Sequence, residues 1–243
     1  AIDYDADRGI IMNKESSYEF GLSDNTGKLQ GAFSPCWRWW GEVIIPLHEW
    51  SHVAVAYDGT NEAHYIMSQQ VEAIACGNGG DLNPSQADFR IGHREARVGV
   101  LGHSNFQGDI DEAMVFNRAL GEADLHNVYR GHYRRASVAS GSRTVQASHS
   151  LSNNDVSGAS GHKSSFARVN QKLIDRIGSL VGFWALDGDA TDSSGNGLDG
   201  AVRNPEWVSG AYGLALAFDG DDGLEVSAGA INALTINDVT MAA

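Results

Sequence analysis

Short runs of apolar residues, alternating with polar ones and broken by glycine- and asparagine-rich turns, dominate residues 9–135. The segments Gly9–Lys14, Tyr18–Ser23, Lys28–Phe33, Glu42–Ile45, His52–Tyr57, Ala63–Met67, Val71–Cys76, Asp88–Gly92 and Ile110–Asn117 are each about the length of a strand. Asp24-Asn25-Thr26-Gly27, Asp58-Gly59-Thr60 and Gly77-Asn78-Gly79-Gly80 supply turns between them. Within His52–Tyr57, Val53, Val55 and Tyr57 alternate with smaller residues, the period of a half-buried strand. The exception is 121–133, where Leu120, Asp124, Leu125 and Val128 fit the face of one short amphipathic helix.

Beyond residue 135 the pattern stops. Ten of residues 136–165 are Ser, three are Gly and none is aromatic, which is linker composition. Val169, Leu173 and Ile177 then suggest a short helix over 168–178, and a second strand-rich block runs from Leu180 to the end. The chain thus divides into 1–135, a linker with a short helix over 136–177, and 178–243. It opens on Ala1 rather than Met, which is expected of a processed product, a fragment or an excised repeat.

Charge removes several function classes. Seventeen basic against 31 acidic residues leave a net charge of −14, which repels phosphate backbones and anionic lipid. Arg130, Arg134 and Arg135 make one weak basic patch. No apolar run approaches the roughly 20 residues of a membrane helix, so neither nucleic acid nor membrane insertion is expected. There is no nucleophile elbow, no P-loop, no dinucleotide fingerprint after a strand and no Asn-x-Ser/Thr sequon. A zinc site is not expected among the nine histidines, and His52 and His64 are expected to point outward from their strands.

Three blocks resemble the laminin G-like, concanavalin A-like jelly-roll family of secreted lectin-type modules. Trp50–Gly59 (WSHVAVAYDG) is similar to its central strand and turn, and Phe106–Leu120 (FQGDIDEAMVFNRAL) to its last strand and the helix start after it. Leu180–Trp184, Asp192–Gly197 (DSSGNG) and Gly213–Gly220 (GLALAFDG) resemble its opening strands. The likeness spans about 1–135 and 178–243, with the family's ending half first. The resemblance implies an all-β, two-sheet antiparallel jelly-roll sandwich with short peripheral helices. Residues 238–243 joined to 1–4 read as one strand, so the chain looks permuted, or cut from a tandem array, or built so that 178–243 completes 1–135 of a neighbouring copy.

Candidate chemistry is of three kinds. Trp37 and Trp39, with Trp40 and Arg38 beside them, would share a strand face on which a pyranose can stack; core or interface packing explains the same pattern. Asp192, Asn196 and Asp199 lie in a glycine-rich turn, and the resemblance brings Asp109 and Asp111 near it. Together they offer the oxygens a structural calcium needs, while turn chemistry explains the same Asp and Asn. Asp219, Asp221 and Asp222 form a second oxygen-rich loop. Cys36 and Cys76 either form one disulfide or remain two buried thiols.

Asp109, Asp111 and Glu112 look superficially like the acid/base strand of glucanases with this sandwich. Those enzymes need two carboxylates on one face, whereas alternation places Asp109, Asp111 and Ala113 on one side and Glu112 on the other. The expectation is therefore a non-catalytic, secreted or cell-surface lectin-like module that binds glycans or cell-surface polysaccharide, or adheres to a surface. The alternative is a structural protomer of a head-to-tail homopolymer, an extracellular filament or array joined by strand complementation.

Overall fold

The β-branched and aromatic runs do form strands, and each finds an antiparallel neighbour. The computed structural model describes residues 9–23, 26–34, 36–77, 79–94, 105–130, 178–204, 206–227 and 237–243. Chain order gives β1 Gly9–Lys14, β2 Tyr18–Leu22, β3 Leu29–Phe33, β4 Val53–Tyr57, β5 Asn61–Ile66, β6 Gln69–Ala75, β7 Phe89–Ile91, β8 Gln107–Ile110 and β9 Ala113–Phe116. A helix, α1, occupies 122–130. The second block supplies β10 Leu180–Trp184, β11 Ala201–Arg203, β12 Glu206–Ser209, β13 Leu214–Asp219, β14 Gly223–Val226 and β15 Val239–Ala242. The linker and helix expected over 136–177 lie outside the described residues, as do residues 1–4 of the proposed joined strand.

Two six-stranded sheets run in the orders β11-β14-β7-β1-β2-β3 and β10-β9-β15-β4-β5-β6, with a small sheet β12-β13-β8 beside them. This is the expected all-β antiparallel sandwich. All three sheets contain strands from both sequence blocks, and in the second large sheet the two are interleaved. Val239–Ala242 lies between β4 and β9, and Val53 and Ala243 exchange both backbone bonds at 3.0 Å. The strands that a polymer would donate to a neighbour therefore pair within their own chain, and the homopolymer expectation finds no support in the fold.

The core fills the space between the large sheets. Phe33 stacks on Tyr57 at 5.1 Å and Phe89 on Trp184 at 5.4 Å. The fully buried Trp184 also donates its indole N–H to the Leu198 carbonyl at 2.8 Å, so its one polar atom is satisfied. Leu125 and Val128 of α1 pack with Ala54, Ala56, Met114 and Phe116 on the other face of the second sheet. The Thr240 hydroxyl fixes the approach to α1, donating to Arg118 O and accepting from Leu120 N, each at 2.8 Å.

Two expected strands differ. Residues 42–45 make only an isolated bridge, Lys28 to Ile44, although Leu29 N donates to Val43 O and Ile45 N to Gly27 O at 2.9 Å. This segment caps the exposed edge of β3. The strand expected over 110–117 breaks at Asp111–Glu112, where Glu112 takes φ +54°. Here β8 belongs to the small sheet and β9 to the second large one. The alternation that assigned faces to Asp109, Asp111 and Glu112 consequently does not run through this point.

Candidate functional site

Residues 36–51 leave β3 and cross one end of the sandwich. Cys36 is bonded to Cys76, with Cα atoms 5.5 Å apart, which ties the start of the segment to the end of β6. Trp40 bridges Gly31, and Glu42 N donates to Glu72 Oε2 at 3.2 Å. Below this anchor His64 is fully buried, its Nε2 2.5 Å from Glu62 Oε1 and its Nδ1 3.2 Å from Glu72 Oε2. His64 thus points inward, contrary to expectation, because two carboxylates compensate its burial.

The shared strand face expected for Trp37 and Trp39 does not form. Residues 37–39 are irregular, and Trp37 takes φ +41° while its N–H donates to Phe33 O. Trp39 is half-buried and hydrogen-bonds the Glu19 carboxylate. Burial nonetheless raises the Glu19 pKa above the usual carboxylate range. Arg38 is exposed, and three indoles on the segment remain open to solvent: Trp37 at 37%, Trp40 at 55% and Trp50 at 41%.

The same segment walls a cavity of about 300 Å³ at the end of the sandwich. Ile11, Leu22, Val53 and Ile110 make its apolar floor, and all four belong to the core between the sheets. His48 to His52, Asp109, Asp111, Glu112, Tyr129 and Tyr212 bring polar atoms to it. The break between β8 and β9 places Asp111 here. The turn joining β12 to β13 holds its carboxylate, with Tyr212 N donating to Oδ2 at 2.8 Å. A Cβ added at Gly210 would stand 2.6 Å from that oxygen, so the turn fits closely around it.

Asp111 Oδ1 is buried and accepts no hydrogen bond, and both ring nitrogens of His52 are likewise buried without one. Burial pushes the Asp111 carboxyl up to about 7, with the nearby Asp187 charge adding to the effect against the pull of the Tyr212 amide. Burial also pushes the His52 imidazole down to about 4. Both groups are therefore neutral over much of the interval between those values. The His52 ring packs on Tyr129 at 5.5 Å. Perturbed groups converging in an apolar cleft are the physical mark of a binding site.

The five residues put forward for calcium do not come together in one site. Asp192 Oδ1 accepts from Phe183 N and Ser194 N, and Oδ2 from Leu198 N and the Ser194 hydroxyl, at 2.8–3.1 Å. Asp199 Oδ1 accepts from Asp192 N, and the Asn196 amide donates to Val181 O, both at 2.8 Å. A carboxylate already facing four donors does not fit a cation, and this loop is turn chemistry. Asp109 and Asp111 instead line the cavity. The Asp219–Asp222 loop is also internally bonded, Asp221 N to Asp219 Oδ1 at 2.9 Å.

His48-Glu49-Trp50-Ser51-His52 has the order of a helical zinc motif, but residues 48–52 are not helical here. Among the described residues no group of three or more His, Cys, Asp or Glu is placed to hold a metal ion. The residues that sequence reasoning missed are His52, Trp50, Tyr129 and Tyr212. Their convergence depends on β4, α1 and a remote hairpin meeting at one end of the sandwich. Only the block Trp50–Gly59 signalled any of them.

A family model described as the concanavalin A-like lectin/glucanases superfamily, Laminin_G_3, matches residues 2–126, just over half of the chain. The chain belongs to that superfamily. It is a carbohydrate-binding-type module of a group that contains both lectins and glucanases. No curated protein and no solved structure matches it. Among the described residues no helix is long and apolar enough to cross a membrane.

Proposed function

We propose that this superfamily member is a non-catalytic, extracellular lectin-like module that binds glycans through the tryptophan-bearing segment 36–51. The observation that carries the reading is the exposure of Trp37, Trp40 and Trp50 on one segment held by a disulfide. Indoles stack on the apolar faces of pyranose rings, and a pre-anchored segment loses less entropy on binding. The bonded Cys36–Cys76 pair supports an oxidising compartment, and laminin G-like modules are typically extracellular.

A glucanase of the two-carboxylate type needs both groups across one scissile bond. Asp111 and Glu112 occupy a turn between two different sheets, which supports binding without hydrolysis. The experiment is a glycan array with the wild type, Trp37→Ala and Trp40→Ala, followed by a reducing-sugar assay on any retained polysaccharide. Retention that each substitution weakens by about tenfold, with no new reducing ends, is the expected result. Unchanged retention in both variants would remove the segment from the site, and reducing ends released by the wild type would make the protein an enzyme.

A further inference from the structure

We propose that the cavity behind Trp50 is a blind pocket for the uncharged terminal pyranose of a glycan, with Asp111 and His52 as the hydrogen-bonding residues that select it. The proposal rests on the glycan-binding reading and adds to it a separate subsite, a ligand class and a mode of recognition. The outer tryptophans can stack on rings anywhere along a glycan. Ile11, Leu22, Val53 and Ile110 belong both to the cavity lining and to the core of the sandwich, which closes the cavity on that side. Its volume of about 300 Å³ is at the small end of ligand pockets, which suits one ring rather than several.

The polar groups define which ring. Asp111 is only 4% exposed; the backbone amides of Tyr212, Glu112 and Ala211 face its carboxyl, and Tyr212 N donates to Oδ2, while Oδ1 accepts no hydrogen bond of good geometry. A buried oxygen left unmatched costs free energy that a ligand hydroxyl recovers on binding. The two His52 nitrogens offer one donor and one acceptor in the neutral ring, complementary to further hydroxyls. Apolar walls opposite these groups match the C–H face of a pyranose, with Trp50 and Tyr129 adding aromatic surface.

Charge then excludes acidic sugars. Asp109, Glu112 and Glu49 also line the cavity, Asp187 lies close enough to raise the Asp111 pKa, and among the described residues that line it there is no Lys or Arg. A uronate would meet the carboxylates of Asp109, Glu112 and Glu49 there, and like charges close together are repulsive.

The test is saturation-transfer NMR and calorimetry on the full chain at pH 8, where the Asp111 carboxyl is ionised and its Oδ1 is an acceptor. The probes are the methyl pyranosides of glucose, galactose, mannose and N-acetylglucosamine, with methyl glucuronide for comparison. At least one neutral glycoside is expected to bind, and the glucuronide to bind about tenfold or more weakly. Asp111→Asn keeps an oxygen for the Tyr212 amide but replaces the free acceptor, and should weaken binding by about tenfold. Trp50→Ala, at an exposed position that tolerates truncation, should weaken it similarly.

Absence of binding by every neutral glycoside would overturn the pocket, as would glucuronide binding equal to the neutral sugars. So would unchanged affinity in both Asp111→Asn and Trp50→Ala. In each case, array binding that depends on Trp40 would leave the broader glycan-binding reading standing.

Discussion

Asp111 and His52 make opposite demands on proton binding, and the folded state feels both. Asp111 titrates at about 7 in the fold against 3.8 when unperturbed, so the native state binds its proton more tightly. Its contribution is complete below about pH 4 and is lost as the pH rises toward 7, an effect on the order of 4 kcal/mol. His52 falls from 6.5 to about 4, so its contribution is complete above pH 6.5 and is lost as the pH drops to 4. Asp111→Asn should therefore gain stability over the wild type in urea unfolding at pH 8 and little at pH 4. Equal gains at the two values would show that Asp111 is not buried as described. A gain in stability paired with a loss of binding is the trade-off expected where a polar group is retained for function.

Backbone geometry decides matters at the level of elements. Segment 36–51 is too irregular for a strand, yet it is closely fitted to the edge of β3. A Cβ at Gly41 would meet Leu29 O at 1.8 Å and His64 Cε1 at 3.2 Å. Gly41→Ala must then push the segment off the sheet, at a cost of about 1–3 kcal/mol in chemical denaturation. An unaltered midpoint would mean that the segment can move away freely. The disulfide acts on the same element from its other end. It closes a loop of 40 residues, worth about 4 kcal/mol in the chain-entropy account. Cys36→Ser with Cys76→Ser should lower the melting temperature by roughly 10 °C. It should also weaken glycan retention through Trp37 and Trp40, which a purely global effect on stability would leave intact at low temperature.

The whole molecule is held by antiparallel pairing between residues distant in sequence. Leu224 lies opposite Ile91, Phe218 opposite Gly108, and Met241 opposite Val55. The Asp192 carboxylate already faces donors from its own loop. Thermal unfolding in excess calcium and in chelator should give the same midpoint, to within about 1 °C. A rise of several degrees with calcium would indicate a cation site formed by other oxygens.

The sequence by itself determined the fold class, most strand positions and the amphipathic helix, because these follow from the local period of apolar residues and from turn-forming glycines. Val53, Val55 and Tyr57 had to face the core whichever strands lay beside them. It also identified Cys36, Cys76 and the tryptophan run as chemically notable, without saying how each was used. Only the tertiary structure decided the site. A single left-handed residue, Glu112, breaks one apparent strand into two and delivers Asp111 to a cavity whose other walls come from residues 11, 22, 45, 48–53, 67, 106, 129, 211–212 and 243. Local periodicity contains no information about which distant segments meet. Burial, which sets the protonation of Asp111 and His52, exists only after they have met.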